Sequence, residues 1–139
     1  RYNVFNYLNV PEINTILEPK LKELFGPCVV QCWANIFRQG EGIEEHRHIE
    51  DTSINAVLTA SGNIFLYGDP TTGTYYEGVK HDNKIGELSL FLSDMLHGVP
   101  KNTTGDMRIS MAIDVHKDLS ENMLNNIMSD KRHTYYYIR

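Results

Sequence analysis

The sequence has no long apolar run. Over its 139 residues, no stretch approaches the ~20 consecutive apolar residues that a transmembrane helix needs. We therefore expect neither a membrane span nor a membrane partner. A signal-peptide pattern is also absent from the sequence, which starts at Arg1, and we expect a cytoplasmic protein.

Cysteine and positive charge are scarce. Cys28 and Cys32 would lie two pleats apart on a strand, too far for an easy disulfide, and we interpret them as buried apolar residues. The chain has 13 Lys and Arg against 18 Asp and Glu, a net charge of -5. That balance argues against sequence-independent binding to phosphate backbones, so we expect no nucleic-acid partner.

Repeats, low-complexity tracts and linkers are missing too, so residues 1–139 are expected to form a single domain. Apolar residues at helical spacing predict a helix over 11–25, kinked or restarted at Pro19, and another from about Leu119. Between them, β-branched and aromatic runs predict strands over 28–37, 54–59, 63–67, 88–92 and 107–115. Ala60-Ser61-Gly62 would separate two of these strands, and a polar loop would carry Tyr75 and Tyr76.

This order predicts a mainly β protein, a β-sandwich or small barrel of the double-sheet jelly-roll (cupin-like) kind, with flanking N- and C-terminal helices. The tail contains three consecutive tyrosines. We expect it to form an edge strand or a contact between copies in a homo-oligomer.

Histidine spacing provides the main functional signal. His46 and His48, or alternatively His48 and Glu50, would point to one side of a strand, and His97 follows about fifty residues later. Either pair with His97 could hold a metal ion on one side and leave open positions. The competing interpretation is a charged, solvated turn, since acidic residues crowd there. The other histidines, which we expect to be solvated, are His81, His116 and His133.

From Trp33 to about Val115 the sequence resembles the Fe(II)/2-oxoglutarate-dependent oxygenases, whose fold is a double-stranded β-helix. Trp33-Ala34-Asn35, Gly40 and His46-x-His48 resemble the first strand, turn and metal motif. Asn55-Ala56-Val57-Leu58 and Tyr67-Gly68-Asp69-Pro70 resemble the start and the end of the next strand region. Gly86-Glu87-Leu88-Ser89-Leu90-Phe91-Leu92-Ser93 resembles the strand that leads to the distal histidine, here His97. Arg108-Ile109-Ser110 is similar to the R-x-S element.

The resemblance implies a dioxygenase that couples oxidative decarboxylation of 2-oxoglutarate to hydroxylation of a small-molecule or peptide substrate. His46, His48 and His97 would bind Fe(II), with Glu50 as the alternative to His46. Arg108 and Ser110 would bind the far carboxylate of 2-oxoglutarate. Asn35 would be a further cofactor-binding residue.

Two other interpretations stay open. The spacing from Gly40 to His46-x-His48, and then from Gly86 to His97, also fits a cupin-type metal protein that does not use 2-oxoglutarate. The third is a metal-free binding module that has kept only the fold.

Overall fold

The computed structural model describes residues 5–48, 50–51, 56–129 and 134–139, with the side chains of residues 50, 51, 56 and 57 outside the description. The helices are α1 (Pro11–Phe25) and α2 (Glu121–Ser129), with short 3-10 turns at Tyr7–Asn9 and Pro70–Thr72. The strands are β1 (Cys28–Phe37), β2 (Ile43–His46), β3 (Glu50–Asp51), β4 (Ala56–Val57), β5 (Ala60–Tyr67), β6 (Thr74–Tyr76), β7 (Val79–His81), β8 (Leu88–Leu92), β9 (His97–Val99), β10 (Arg108–His116) and β11 (Tyr136–Ile138).

The strands form two main sheets. One has the order β11-β1-β10-β5-β8 and the other the order β2-β9-β6-β7, while β3 and β4 form a separate pair. The helices lie towards the two ends of the chain. This mainly β arrangement confirms the predicted fold class. Among the described residues, no helix has the length and apolar character needed to cross a membrane.

The chain divides into two compact units. The first comprises Arg1–Trp33, Ile49–Ala60 and Ile113–Arg139. There β11 runs antiparallel to β1, with Cys28 opposite Ile138, so the tail is a strand as predicted. Val29 of β1 packs with Met123 of α2 in an apolar cluster.

The second unit comprises Ala34–His48 and Ser61–Ala112. Every residue of this unit is described, and most of its buried side chains are polar. The buried apolar side chains are Ile64, Phe65 and Met111, whereas the buried polar ones are Ser61, Thr74, Asn83, Ser93, His97, Asn102, Arg108 and Ser110. Because burying a polar group costs free energy unless a partner satisfies it, hydrogen bonds such as those from Ser61 to Ser93 and from Thr74 to Asn83 are needed here.

Three local predictions differ from the structure. Ala60-Ser61-Gly62 lies inside β5 rather than separating two strands, and a Cβ on Gly62 would lie 2.9 Å from a methyl carbon of Leu90. The residues there are small because β8 packs closely, not because the chain turns. Tyr75 and Tyr76 belong to β6, not to a loop. Helix α1 runs from Pro11 to Phe25 as one helix, so of the two alternatives at Pro19, a kink or a restart, the restart is wrong.

Candidate metal centre

Three histidine rings meet in the second unit, where His46 and His48 are half-buried and His97 is buried. His46 ends β2 and lies opposite His97, the first residue of β9, while His48 follows β2 in the chain. The ring centroids are 4.4 to 4.9 Å apart. One nitrogen from each ring lies within 4.8 Å of those of the other two. Among the described residues, these three form the one group of histidine, cysteine or carboxylate side chains close enough to share a metal ion.

Hydrogen bonds orient these rings. The Nδ1 atoms of His46 and His97 lie 2.8 and 2.7 Å from the main-chain carbonyl oxygen two residues earlier. Because a carbonyl oxygen can only accept, both Nδ1 atoms carry the hydrogen, so Nε2 is the ring nitrogen that can bind a metal ion. The Nε2 atoms of His46 and His48 are 2.9 Å apart. Such outer hydrogen bonds fix the tautomer and the direction of metal-binding imidazoles.

Two serines support His48, which lies beyond the end of β2. Its main-chain N–H donates to the carbonyl oxygen of Ser93 over 2.8 Å. The hydroxyl of Ser61 donates to that of Ser93 over 3.2 Å and lies 3.4 Å from Nδ1 of His48. Both serine side chains are buried, so they restrict where the imidazole can lie.

The pairing that brings His46 to His97 depends on close contact between β2 and β9. The register shifts between Ile43 and His46, as at a β-bulge. A Cβ on Gly98 would lie 2.9 Å from main-chain atoms of β2, and one on Gly42 would lie 2.7 Å from a carbonyl oxygen of β9. Real Cβ atoms do not approach so closely, so both positions require glycine in this arrangement.

A buried arginine lies in the same unit. Arg108 is 1% exposed, and the ring of Phe65 lies 5.5 Å from its guanidinium carbon. Its guanidinium donates to Ser110 over 3.4 Å and to Thr74 over 3.3 Å, both long distances for such bonds. The hydroxyl of Thr74 in turn donates to Asn83 over 3.1 Å. These neighbours are all neutral.

The charge of Arg108 is therefore poorly compensated. Within the described part of the chain, its Nε has no hydrogen-bond partner and no carboxylate forms an ion pair with its guanidinium. Burial lowers the pKa of Arg108 below its ordinary value, partly opposed by Tyr76. A guanidinium with unused donors in a buried position can bind a carboxylate through two parallel hydrogen bonds.

Aromatic rings connect the arginine to the histidines. The ring of Phe91 lies 4.6 Å from that of His97 and 5.1 Å from that of Tyr76, centroid to centroid. The phenol of Tyr76 is buried among polar side chains of β5, β6 and β8, and burial raises the pKa of Tyr76. A chain of neighbouring side chains in this unit, Phe91 and Tyr76, therefore links His97 to Arg108.

The structure brings together most of the residues expected at the site. His46, His48 and His97 converge, and Arg108 contacts Ser110. Asn35 is half-buried on β1 and makes no hydrogen bond to these residues in the described structure. The side chain of Glu50, the alternative ligand, lies outside the described residues.

The expectation for the other histidines is only partly met. His81 is exposed as predicted, whereas His116 is completely buried, so its prediction was wrong. It ends β10 in the first unit, where the last four residues of the strand are all buried rather than alternating. His133 lies outside the described residues.

Sequence reasoning missed several side chains that support the site. Thr74 and Asn83 lie in a segment that was expected to be a loop. Ser61 lies in a segment that was expected to separate two strands. Reading residues 74–76 as a strand would have placed Thr74 and Tyr76 on one face.

No family model matches the sequence, and no curated protein matches it. Solved structures do match. A prolyl-4-hydroxylase from Pseudomonas putida is 20% identical with a TM-score of 0.51, over 66% of this chain and 54% of that one. The non-heme monooxygenase ThoJ, in a nickel complex, is 17% identical with a TM-score of 0.51, over 73% of this chain and 49% of that one. This chain thus spans about half the length of each. The likeness supports the double-stranded β-helix fold.

Proposed function

We propose that this chain is an Fe(II)- and 2-oxoglutarate-dependent dioxygenase. His46, His48 and His97 would hold the metal, and Arg108 with Ser110 would hold the far carboxylate of 2-oxoglutarate. The observation that carries the proposal is the buried guanidinium of Arg108, which lacks a carboxylate partner among the described residues and lies in the same unit as three convergent imidazoles.

The residues fit both groups chemically. Imidazole nitrogens are suitable ligands for iron, and three protein ligands leave coordination positions for other molecules. The fixed Nδ1–H tautomers of His46 and His97 leave Nε2 to bind the ion. The anionic carboxylate of 2-oxoglutarate matches the unused donors of Arg108.

When bound, Fe(II) and 2-oxoglutarate supply the oxidative chemistry that hydroxylates a C–H bond, and the protein positions and shields the reactants. Arg108 would bind and orient the carboxylate, with the hydroxyls of Ser110 and Thr74 at either side of the guanidinium. The rings of Phe65 and Phe91 would exclude water from this interior. The substrate would be a small molecule or a peptide.

A cupin-type metal protein that does not use 2-oxoglutarate is the second candidate. The observation that favours it is the all-histidine cluster, since no carboxylate joins this group among the described residues. In that case Arg108 would have no role towards a cosubstrate.

Calorimetric titration of 2-oxoglutarate into protein loaded with Mn(II), a redox-inert stand-in, tests the proposal. We expect binding that requires the metal and that Arg108→Ala weakens by about 10- to 100-fold, the value of a lost charge-assisted hydrogen-bond pair. Lys101→Ala, which removes an exposed positive charge, is the matched control and should bind normally. Metal binding without 2-oxoglutarate binding would favour the cupin-type candidate, and absence of metal binding would contradict both.

A further inference from the structure

The hairpin turn between β6 and β7 contains a residue in an uncommon conformation. Tyr76 pairs with Val79, and the two residues between them, Glu77 and Gly78, have φ angles of 49° and 79°. Two positive φ angles in succession are typical of a type I′ turn, in which asparagine, aspartate or glycine usually occupies the first position. Glutamate is not favoured there, because its Cβ crowds the main chain. Among the described residues, Glu77 is the one non-glycine residue with a positive φ.

Glu77 contacts the chain directly before His97. Its main-chain N–H donates to the carbonyl oxygen of Leu96 over 2.7 Å, and its carboxylate accepts from the N–H of Leu96 over 2.8 Å. Both polar groups of the Leu96 main chain are thus bound by one residue. His97 follows immediately, and its Nδ1 donates to the carbonyl oxygen of Met95 over 2.7 Å. The segment that orients the imidazole of His97 is therefore fixed by Glu77 on one side.

We propose that Glu77 is a positioning residue for the metal centre. Its carboxylate holds the main chain at Leu96 and thereby fixes the place and ring direction of His97. The inference rests on the proposed function, because it takes His97 to be a metal ligand. Residues held in an unfavourable main-chain conformation occur most often at functional sites, and Glu77 is such a residue. A residue that only stabilised the turn would more suitably be asparagine.

Replacement of Glu77 by residues suited to the turn separates positioning from turn stability. Asparagine accepts a positive φ, but its side chain is one methylene shorter and does not reach the N–H of Leu96. For Glu77→Asn we expect the urea midpoint to stay equal or rise. The affinity for Co(II) should fall by about tenfold, the lower end of the range for residues that orient metal ligands. The visible absorption of bound Co(II) should also shift, since it reports ligand geometry.

Three further variants complete the test. Glu77→Gln keeps a carbonyl oxygen at the same reach and should bind Co(II) like the wild type. Glu77→Gly tolerates the turn without any side chain and should behave like Glu77→Asn. Lys80→Ala removes an exposed side chain from the same hairpin and serves as the control.

The outcomes distinguish this inference from the proposed function. Normal Co(II) affinity and an unchanged spectrum for Glu77→Asn and Glu77→Gly would overturn the role of Glu77 alone. Failure of the wild type to bind Co(II) would contradict the proposed metal centre, and the inference would fall with it.

Discussion

The Nε2 atoms of His46 and His48 lie 2.9 Å apart. Without a hydrogen or a cation between them, two imidazole lone pairs at this distance would repel each other. The Nδ1 atom of His46 already donates to a carbonyl oxygen, so the ring presents an acceptor to its neighbour. A hydrogen on Nε2 of His48 or a cation that both nitrogens bind would remove this repulsion, and the distance is compatible with the proposed metal centre.

Single substitutions should decide between the two possible ligand pairs. We expect His46→Ala to lower Co(II) affinity by more than about 100-fold, beyond the usual effect of residues that only orient a ligand. Glu50→Ala should leave it unchanged. The measurement is Co(II) titration followed by visible absorption, with exposed His81→Ala as the control. The reverse result, loss with Glu50→Ala and retention with His46→Ala, would assign the site to His48 and Glu50.

Arg108→Met should stabilise the metal-free protein. A buried charge with few partners is costly, and an apolar side chain of similar length removes that cost. We expect the free energy of unfolding in urea to rise by about 1 kcal/mol or more, as for other buried charges replaced by apolar residues. Arg38→Met, on an exposed arginine, should change little. A loss of stability in Arg108→Met would show that the charge is compensated.

Gly98→Ala should damage both stability and the metal centre. The new Cβ would lie 2.9 Å from the main chain of β2, so the strand that carries His46 must move. We expect a loss of about 1–3 kcal/mol in the free energy of unfolding, typical of overpacking, together with weaker Co(II) binding. Gly105→Ala is the matched control because its Cβ would meet nothing within 4 Å. Equal behaviour of the two variants would contradict the close β2–β9 contact.

Stability should fall in alkaline solution because of the buried thiols. Burial raises the pKa of Cys28 to about 11 and that of Cys32 to about 12, from the ordinary 9.0. The folded state therefore retains the protons more strongly, and this contribution is complete below pH 9 and is lost as the pH rises towards 11 to 12. Urea unfolding at several pH values measures the loss, which should be smaller in Cys32→Ala. An identical pH dependence in that variant would contradict a burial effect at Cys32.

Periodicity was sufficient to predict much of the fold and part of the site. The alternation along β10 placed Arg108 and Ser110 on one side, and the two are in contact. The resemblance to oxygenases gave this pair its expected role. Strand alternation also predicted that His46 and His48 lie on one side. Because His48 lies beyond the end of β2, their proximity depends on the turn of the chain as well.

The remaining contacts depend on distant parts of the chain. Thr74 reaches Arg108 across 34 positions, and Ser61 reaches Ser93 across 32. Such pairs join strands that are far apart in the chain, and a single sequence does not encode them in its local pattern. Glu77 was missed for another reason. Its role follows from a positive φ, and glutamate gives no local signal for one.

We expect the second unit to bind both a metal ion and 2-oxoglutarate. Anaerobic titration of the Fe(II)-loaded protein with 2-oxoglutarate tests it most directly, because a chelated complex absorbs weakly in the visible range. We predict a metal-to-ligand charge-transfer band with the wild type, a weaker one with Arg108→Ala and none with His97→Ala. Bound Fe(II) with no band at saturating 2-oxoglutarate would contradict this expectation.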